Sequence, residues 1–387
     1  MINVAVFGTG AVARIHIDGY LSFSDRCRIK ALCDIYPDKA ESLLKEKGLQ
    51  DVLIFNDYRK ALELEDIDLV SICLPPSVHS EVSISSLSAG KHVLVEKPMA
   101  SSLEECDAML VSKELSGKKL AVISQNRFQT SMMRMKQLLD LRAAGKILHT
   151  TVNSYWWRGE NYYDLWWRGT WEKEGGGCTL NHAVHHVDLL RWMLGMPEAV
   201  SAFFTNLHHS NSETEDFSTT LLNYHDGSVA QLNASLVHHG EEQEMIFQCE
   251  KARISVPWKV AASTAKENGF PQDDPETAET LQQLYDSIPP CVNRGHTAQI
   301  EEMLNCLELG SEPSVTGYDG REALELILGI YKAASSRSIV SFPLKKSDPF
   351  YRKDTMIPLM PHFHKKTRTC DNFSPSKITL GRDMEKL

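Results

Sequence analysis

A glycine- and histidine-rich segment in the middle of the chain carries side chains suited to moving a proton. The segment Gly175–Asp188 begins with three glycines, and its pattern predicts a helix over Cys178–Leu194. Asn181, His185 and Asp188 stand at positions i, i+4 and i+7, so one helical face presents all three. Imidazole suits proton transfer because its unperturbed pKa, about 6.5, is close to neutral pH. This face could therefore exchange protons with a bound hydroxyl group.

A second chemical signature is the glycine-rich turn Gly8-Thr9-Gly10-Ala11-Val12-Ala13. Gly8 permits a tight turn, Gly10 lets the backbone approach a pyrophosphate, and Ala13 allows close packing of helix on strand. Asp34 ends the second strand about 20 residues later, where its carboxylate can accept the adenosine ribose hydroxyls and repel a 2′-phosphate. The sequence therefore predicts NAD rather than NADP as the cofactor. The predicted contacts from this part of the chain are Gly8, Gly10, Ala11, Val12 and Asp34.

Strands and helices alternate regularly over the first 125 residues. Continuous apolar runs indicate strands that are buried on both faces. Helical stretches separate these runs, and such alternation predicts right-handed crossovers and a doubly wound parallel sheet. The predicted strands are Ile2–Phe7, Ile29–Cys33, Val52–Phe55, Leu69–Leu74, His92–Val95 and Leu120–Ser124.

The pattern changes after about residue 128. Alternating strands on either side of His225-Asp226-Gly227 predict a hairpin, and further short strands follow. An antiparallel sheet with helices on one face is the natural second domain. We therefore expect a nucleotide-binding domain over residues 1–127 and a substrate-binding and oligomerisation domain over 128–344. Residues 345–387 are basic and poor in periodicity, and we expect a tail that wraps the body or a neighbouring subunit.

Composition excludes several classes of protein. The 387 residues are 42% hydrophobic and carry a net charge of −10, which argues against a nucleic-acid partner. No apolar run reaches the roughly 20 residues of a membrane span, and we expect no signal peptide. The nine cysteines are scattered without a CxxC pair, as in reduced cytosolic proteins. We expect a cytoplasmic enzyme.

Two further motifs carry a family resemblance: Leu74-Pro75-Pro76 with His79, and Gly90-Lys91-His92-Val93-Leu94-Val95-Glu96-Lys97-Pro98. With them the chain resembles the glucose–fructose oxidoreductase / inositol dehydrogenase (Gfo/Idh/MocA) family from Ile2 to about Leu344. The resemblance implies a Rossmann domain followed by an α+β domain with a large open, mostly antiparallel sheet. That sheet often makes dimer and tetramer contacts in the family, so a homodimer or homotetramer is expected. The resemblance also implies cofactor contacts from Leu74, Pro75, His79, Glu96, Lys97 and Gln125.

The resemblance also implies roles for the catalytic residues. Lys97 is expected beside the nicotinamide and the substrate hydroxyl, while Glu96 and Pro98 shape the turn. Independently, Lys97 follows the fifth strand at the sheet edge where open α/β sheets bind ligands. An ammonium there can hold a developing alkoxide or share a proton. The Lys97–Pro98 bond is also one that can be cis at low cost.

His185 is implied as the general base that takes the hydroxyl proton. Many family members have Asp where this chain has Asn181, and an amide cannot take a proton. Proton transfer would then rest on His185 with Lys97, and Asn181 would only hydrogen-bond. The Asn variant resembles the branch that oxidises C3 of nucleotide-activated amino sugars and glycosides. By the same resemblance Gln125, Asn126 and Arg127 touch cofactor or substrate, and His296 is a further candidate contact.

Aromatic residues concentrate ahead of the glycines. Sugar C–H faces stack on such rings, and arginines can grip hydroxyls or a phosphate. The alternative is a loop packed against the sheet. The predicted substrate contacts are Arg127, Trp157, Arg158, Tyr163, Trp167, Arg168, Asn181, His185 and His296.

No metal site is predicted. His182 and His186 share a helical face, His185 points elsewhere, and no carboxylate or cysteine completes a ligand set. The pairs His208-His209 and His238-His239 are expected to be solvated residues at strand ends.

Three functions fit these patterns. The first is an NAD-dependent dehydrogenase acting on a secondary hydroxyl of a sugar, glycoside or cyclitol. The second is a glycoside hydrolase or lyase that retains NAD and uses transient C3 oxidation to acidify the C2–H bond. The third is a sugar sensor without catalysis, against which Lys97 and His185 both argue. The first is favoured, with a small carbohydrate or cyclitol as the partner.

Overall fold

The computed structural model describes residues 1–370 of the chain. Residues 371–387, the end of the predicted tail, lie outside the described residues. The chain divides into two compact units. Unit 1 comprises 1–128 and 292–324, and unit 2 comprises 129–291 and 325–370.

Unit 1 contains a six-stranded parallel sheet with the strand order β3-β2-β1-β4-β5-β6. This is the order of a dinucleotide-binding fold, so the predicted doubly wound parallel sheet is confirmed. Strand β4 is buried along its length and β1 from Val4 onward, as expected for strands covered on both faces. The elements are β1 (Ile2–Phe7), α1 (Ala11–Leu21), β2 (Cys27–Cys33), α2 (Pro37–Lys47), β3 (Leu53–Phe55), α3 (Tyr58–Leu62), β4 (Leu69–Ile72), α4 (Pro76–Ser88), β5 (His92–Val95), α5 (Leu103–Ser116) and β6 (Leu120–Val122).

Unit 2 contains a nine-stranded, mostly antiparallel sheet with the order β14-β13-β12-β11-β7-β10-β9-β8-β15. Its one parallel pair, β7 with β10, lies near the middle, and the predicted hairpin at 225–227 joins β9 to β10. The strands are β7 (Ile147–Tyr155), β8 (Ala199–Thr205), β9 (Phe217–Asn223), β10 (Val229–Ser235), β11 (Gln243–Cys249), β12 (Ala252–Val256), β13 (Lys259–Ala265), β14 (Pro271–Asp273) and β15 (Val340–Ser341). The helices beyond unit 1's first segment are α6 (Thr130–Asp140), α7 (Cys178–Asn181), α8 (Val184–Leu194), α9 (Pro275–Ser287), α10 (Gly295–Leu309), α11 (Gly317–Ser336) and α12 (Lys353–Met356).

Alternation decides which face of the large sheet is buried. Along β7, residues 150, 152 and 154 are buried and their neighbours are partly or fully exposed. The same period of two runs along β9 and β10, so one face forms the core of unit 2. The opposite face carries exposed Phe203 and Leu221.

The division into units differs from the boundaries expected from the sequence. Helix α10 belongs to unit 1 although it follows β7 to β14 of the large sheet in the chain. It packs on α1, where a Cβ added to Gly19 would lie 2.5 Å from Ile300 Cδ1. The absence of a side chain at Gly19 therefore lets the two helices approach closely. This contact joins residues about 280 positions apart, so local sequence patterns cannot reveal it.

The helix predicted over Cys178–Leu194 is two helices. Helix α7 ends at Asn181, and α8 begins at Val184. His182 has a φ of −109°, outside the helical range. The i, i+4, i+7 argument therefore holds from His185 onward but does not reach back to Asn181.

The tail packs on unit 2 as far as residue 370. Trp171 Nε1 donates to Pro361 O at 2.9 Å, and the backbone of Cys370 pairs with that of Leu165. The nine cysteines are all free thiols. Within residues 1–370, no helix has both the length and the apolar character needed to cross a bilayer.

Candidate active site

The glycine turn at the end of β1 is built for close approach of the backbone. Gly8 has a φ of +90°, and a Cβ there would lie 2.4 Å from Cys73 O. Gly10 is exposed, has a φ of −72°, and a Cβ there would meet no atom within 4 Å. Gly8 is therefore required by the fold, whereas Gly10 keeps open the space at the N-terminus of α1. Ala11 and Val12 form the first turn of that helix, where its N–H groups favour a phosphate.

The two glycines should respond differently to alanine. Gly10→Ala should weaken NAD binding by about tenfold or more, because the new methyl group occupies the space a pyrophosphate needs. Its midpoint of thermal unfolding should stay within about 2 °C of the parent. Gly8→Ala should lower that midpoint strongly because of its positive φ and backbone clash. Titration of tryptophan fluorescence with NAD, beside thermal unfolding, measures both effects. Unchanged NAD affinity in Gly10→Ala would exclude this turn as the pyrophosphate site.

Asp34 lies directly beyond β2 with its carboxylate fixed in place. Its Oδ2 atom accepts hydrogen bonds from Thr9 N at 2.9 Å and Thr9 Oγ1 at 2.6 Å. Its Oδ1 atom accepts one from Tyr36 N at 3.0 Å. These bonds hold the carboxylate beside the glycine turn, and its contact with a ribose stays a prediction.

The loop after β5 is held by a buried carboxylate. Glu96 Oε1 lies 3.1 Å from both His16 Nε2 and His296 Nε2, and Oε2 accepts the Lys97 N–H at 3.1 Å. Burial opposes ionisation of Glu96, but hydrogen bonds from the two histidines outweigh it and hold its pKa well below the ordinary value. Burial also lowers the pKa of His16. Glu96 is therefore a buried anion that fixes the backbone of Lys97, whose bond to Pro98 is cis.

His16, Glu96 and His296 could also hold a cation, because one ligand atom of each lies within 4.8 Å of the others. The hydrogen bonds already pair these atoms, and His16 Nδ1 lies 2.7 Å from Ser71 Oγ. Hydrogen bonds between Glu96 and the Nε2 atoms of the two rings account for the contacts. His296 thus contacts Glu96 instead of projecting freely toward a substrate.

His79 connects the loops after β4 and β5. The ring is fully buried, with Nδ1 2.9 Å from Pro98 O and Nε2 2.7 Å from Leu74 O. Both ring nitrogens are thus engaged with backbone carbonyls. His79 therefore positions Leu74 and the Lys97–Pro98 turn, which differs from the direct cofactor contact expected from the sequence. Pro75 is exposed at the start of α4, beside Leu74.

Gln125 and Arg127 follow β6. The Oε1 atom of Gln125 is buried and has no hydrogen-bond partner among residues 1–370. A buried acceptor without a partner is unusual, and an amide or hydroxyl donor from a ligand would satisfy it. Arg127 is buried and pairs with Asp319 Oδ1 at 3.2 Å, so its guanidinium is engaged within unit 1. The open space at Gly10 and the orphaned Gln125 oxygen both fit a bound dinucleotide.

In unit 2, two side chains at and after the glycine-led turn are partly exposed. Among residues 176–190, Asn181 and His185 alone are not buried. Asn181 Nδ2 donates to Gly176 O at 2.7 Å and to Gly177 O at 3.3 Å. Two carbonyl partners identify this atom as the amide nitrogen, so the Asn181 oxygen points away from the turn as an acceptor. Asp188 is buried on α8.

Sequence reasoning missed the acid that holds this turn. Glu215 accepts hydrogen bonds from Gly177 N and Thr179 N, each at 3.0 Å. It stands 36 residues beyond Thr179 and just before β9, so nothing local marks it. The adjacent Asp216 is buried against His209, with Oδ2 2.7 Å from Nδ1. His209 is therefore a buried partner of Asp216, and the expectation of a solvated strand end was wrong for it.

The aromatic segment is part exposed surface and part core. Trp157 is 44% exposed and stacks on His239 at 5.5 Å, which leaves ring surface for a ligand. Tyr163 is 1% exposed and packs edge-on against His209, so it belongs to the core and not to a substrate surface. The packed-loop alternative holds for that residue.

The arginines of this segment are engaged within unit 2. Arg158 Nη1 donates to Glu241 Oε1 at 2.6 Å. Arg168 donates to Glu174 Oε1 at 2.9 Å, and its guanidinium carbon lies 4.3 Å from the centre of the Trp167 ring. Each keeps about a fifth of its side chain exposed.

Comparison with known proteins finds several relatives over most of the chain. It is 25% identical over 261 residues to the D-glucoside 3-dehydrogenase of Escherichia coli K12, covering 63% of this chain and 73% of that protein. It is 24% identical over 367 residues to the inositol 2-dehydrogenase/D-chiro-inositol 3-dehydrogenase of Shouchella clausii, covering 92% of this chain and 99% of that protein. Among solved structures, the WlbA dehydrogenase of Bordetella pertussis in complex with NADH and UDP-GlcNAcA is similar, with a TM-score of 0.75 and 27% sequence identity. The match covers 89% of this chain and 98% of that chain.

Two family models match consecutive parts of the chain. Residues 2–124 match the oxidoreductase family with an NAD-binding Rossmann fold, GFO_IDH_MocA. Residues 132–255 match the GFO/IDH/MocA C-terminal domain. The chain therefore belongs to the GFO/IDH/MocA family of NAD-binding oxidoreductases, as its sequence motifs predict.

Proposed function

We propose that the chain is an NAD-dependent dehydrogenase that oxidises a secondary hydroxyl of a sugar, glycoside or cyclitol. The observation that carries this proposal is the partial exposure of Asn181 and His185 within the otherwise buried stretch 176–190. A hydrogen-bond acceptor and a base are the two groups that a hydroxyl needs when it loses its proton. Named relatives acting on glucosides and inositols support the same class of substrate.

Asn181, His185 and Lys97 each have one task in the proposed reaction. The Asn181 oxygen accepts the hydrogen bond of a hydroxyl and so orients the sugar ring. The His185 imidazole takes the proton from the reacting hydroxyl. The Lys97 ammonium stabilises the alkoxide that develops as the proton leaves.

Bound NAD would accept the hydride, and the residues of unit 1 would hold it. Gly8, Gly10, Ala11 and Val12 would receive the pyrophosphate at the helix N-terminus. The Asp34 carboxylate would accept the ribose hydroxyls, and its charge would disfavour the 2′-phosphate of NADP. The orphaned Oε1 of Gln125 would accept a donor from the cofactor.

The substrate class can be narrowed to pyranosides oxidised at C3. The amide at Asn181 and the relatives that act on a glucoside and bind a UDP-sugar support this choice. The exposed ring of Trp157 offers an apolar surface for a sugar face. The NAD-retaining hydrolase is not favoured, because these relatives are dehydrogenases.

The enzyme is further proposed to be cytoplasmic and to form homodimers or homotetramers. Free thiols throughout fit a reducing compartment. The exposed apolar residues Phe203 and Leu221 lie on the open face of the large sheet, which fits contact with a second copy.

A substrate panel tests this function. Pyranosides, nucleotide sugars and inositols are mixed with enzyme and either NAD or NADP, and NADH or NADPH is followed by absorbance. We expect reduction of NAD with at least one pyranoside, at a higher rate than with NADP. Product analysis should find a ketone with the glycosidic bond intact. Release of the aglycone would favour the hydrolase, and binding of NAD without turnover of any member would contradict the dehydrogenase.

A further inference from the structure

The turn that carries Asn181 is held by groups distant in the chain. Glu215 Oε2 accepts the Gly177 N–H, and Glu215 Oε1 accepts the Thr179 N–H. The backbone oxygen of Glu215 accepts the Cys178 N–H at 3.1 Å. One residue thus satisfies three successive N–H groups at the start of α7, which otherwise lack helical partners.

Tyr331 on α11 completes this arrangement. Its hydroxyl donates to Glu215 Oε1 at 2.9 Å, and both side chains are fully buried. A Cβ at Gly176 would lie 2.1 Å from the Tyr331 hydroxyl oxygen, and one at Gly177 would lie 1.8 Å from Glu215 O. The glycines are therefore needed because Tyr331 and Glu215 press against the backbone of the turn.

The same backbone orients the Asn181 amide. The Gly176 and Gly177 carbonyls receive the Asn181 N–H groups, so a shift of the turn would move or release the amide. We propose that Glu215 and Tyr331 are positioning residues that keep the Asn181 oxygen facing the substrate hydroxyl. This role rests on the proposed dehydrogenase function. Neither residue needs to touch the substrate.

The charge state of Glu215 is linked to this task. The ionised carboxylate of Glu215 accepts three hydrogen bonds, from Gly177 N, Thr179 N and the Tyr331 hydroxyl. A proton on one carboxylate oxygen would compete with one of these donors. Burial raises the pKa of Glu215 to about 7, opposed by the Thr179 and Tyr331 hydrogen bonds. The titratable groups around it are Tyr331 on α11, Cys178 on α7, Tyr163 in the aromatic segment and its neighbour Asp216.

The pH dependence has a definite sign. The pKa of Glu215 in the folded protein lies above its ordinary value of 4.5. The contribution of Glu215 to the free energy of unfolding is therefore present in full below pH 4.5 and is lost as the pH rises through about 7. Activity should change in the opposite direction, since the ionised form holds the turn. A residue that served the fold alone would not give opposite trends in stability and activity.

Two variants with matched controls test the proposal. Glu215→Gln should lower kcat by about 10- to 100-fold at pH 8, and Tyr331→Phe by about 3- to 10-fold, with unchanged NAD affinity. The ratio of wild-type to Glu215→Gln kcat should approach 1 near pH 5.5, since the protonated acid resembles the amide. In the controls a buried acid or hydroxyl elsewhere in unit 2 is replaced: Glu325→Gln and Tyr224→Phe. Both controls should retain kcat.

Hydrogen exchange tests the positioning without any substrate. Amide protection at residues 177–179 should fall at least about fivefold in Glu215→Gln at pH 8 and stay unchanged in Glu325→Gln. A kcat ratio that does not vary with pH, or unchanged protection of these amides, would overturn the proposal. If wild-type enzyme turns over no member of the panel, the dehydrogenase function fails, and the exchange measurement alone decides the role of Glu215.

Discussion

His185→Ala is expected to lower kcat by about 10²- to 10⁴-fold, the usual contribution of a general base. The imidazole is partly exposed near the start of α8, while its neighbours along the helix are buried. NAD affinity should stay within about threefold of the wild type, because the proposed cofactor residues all lie in unit 1. Steady-state kinetics with the best substrate of the panel, together with NAD titration, measures both quantities.

His225→Ala serves as the control, because that side chain is 83% exposed on the turn between β9 and β10. It should leave kcat and the unfolding temperature unchanged. Added imidazole should restore part of the activity of His185→Ala if the missing group is a base. A His185→Ala enzyme that keeps kcat within threefold of the wild type would refute the assignment of the base.

Lys97→Met should lower kcat by about 10²- to 10³-fold, the loss seen when one group that stabilises an oxyanion is removed. Methionine keeps an unbranched stem of similar length but carries no charge. The fold should survive, because Glu96 accepts the backbone N–H of Lys97, and the substitution keeps that bond. Kinetics and thermal unfolding of the same preparation separate the two effects.

Lys60→Met is the matched control, since Lys60 is an exposed lysine on α3 in the same unit. It should behave as the wild type. If Lys97→Met lost activity only in proportion to lost folded protein, the ammonium would have no part in the chemistry. A loss of NAD affinity larger than the loss of kcat would place Lys97 in cofactor binding alone.

The features that could be predicted from the sequence are those that depend on residues close together in the chain. The turn at Gly8 and Gly10 could be predicted because a tight turn between a strand and a helix leaves a recognisable spacing. The six parallel strands could be predicted because burial on both faces produces continuous apolar runs. Asn181 and His185 could be singled out as candidates because the glycine-led segment is distinctive by itself.

The features that could not be predicted depend on contacts between distant parts of the chain. Glu215 is an ordinary acidic residue until folding places it against Gly177, and His79 an ordinary helical histidine until two loops close around it. Tyr163 was predicted as a sugar contact because aromatic residues around it suggest a surface, yet His209 covers it. The break at His182 follows from the packing of the turn, which no helical period could indicate.

The discontinuity of unit 1 has a consequence for the order in which the protein assembles on the ribosome. Its sheet is complete once residue 122 has been synthesised, but Ile300 and its neighbours on α10 are added only after β7 to β14, eight of the nine strands of the large sheet. Until then the apolar surface of α1 around Gly19 lacks its cover. A nascent chain therefore carries an unfinished nucleotide-binding half while the other half folds, and a fragment cut at residue 128 would inherit that uncovered surface.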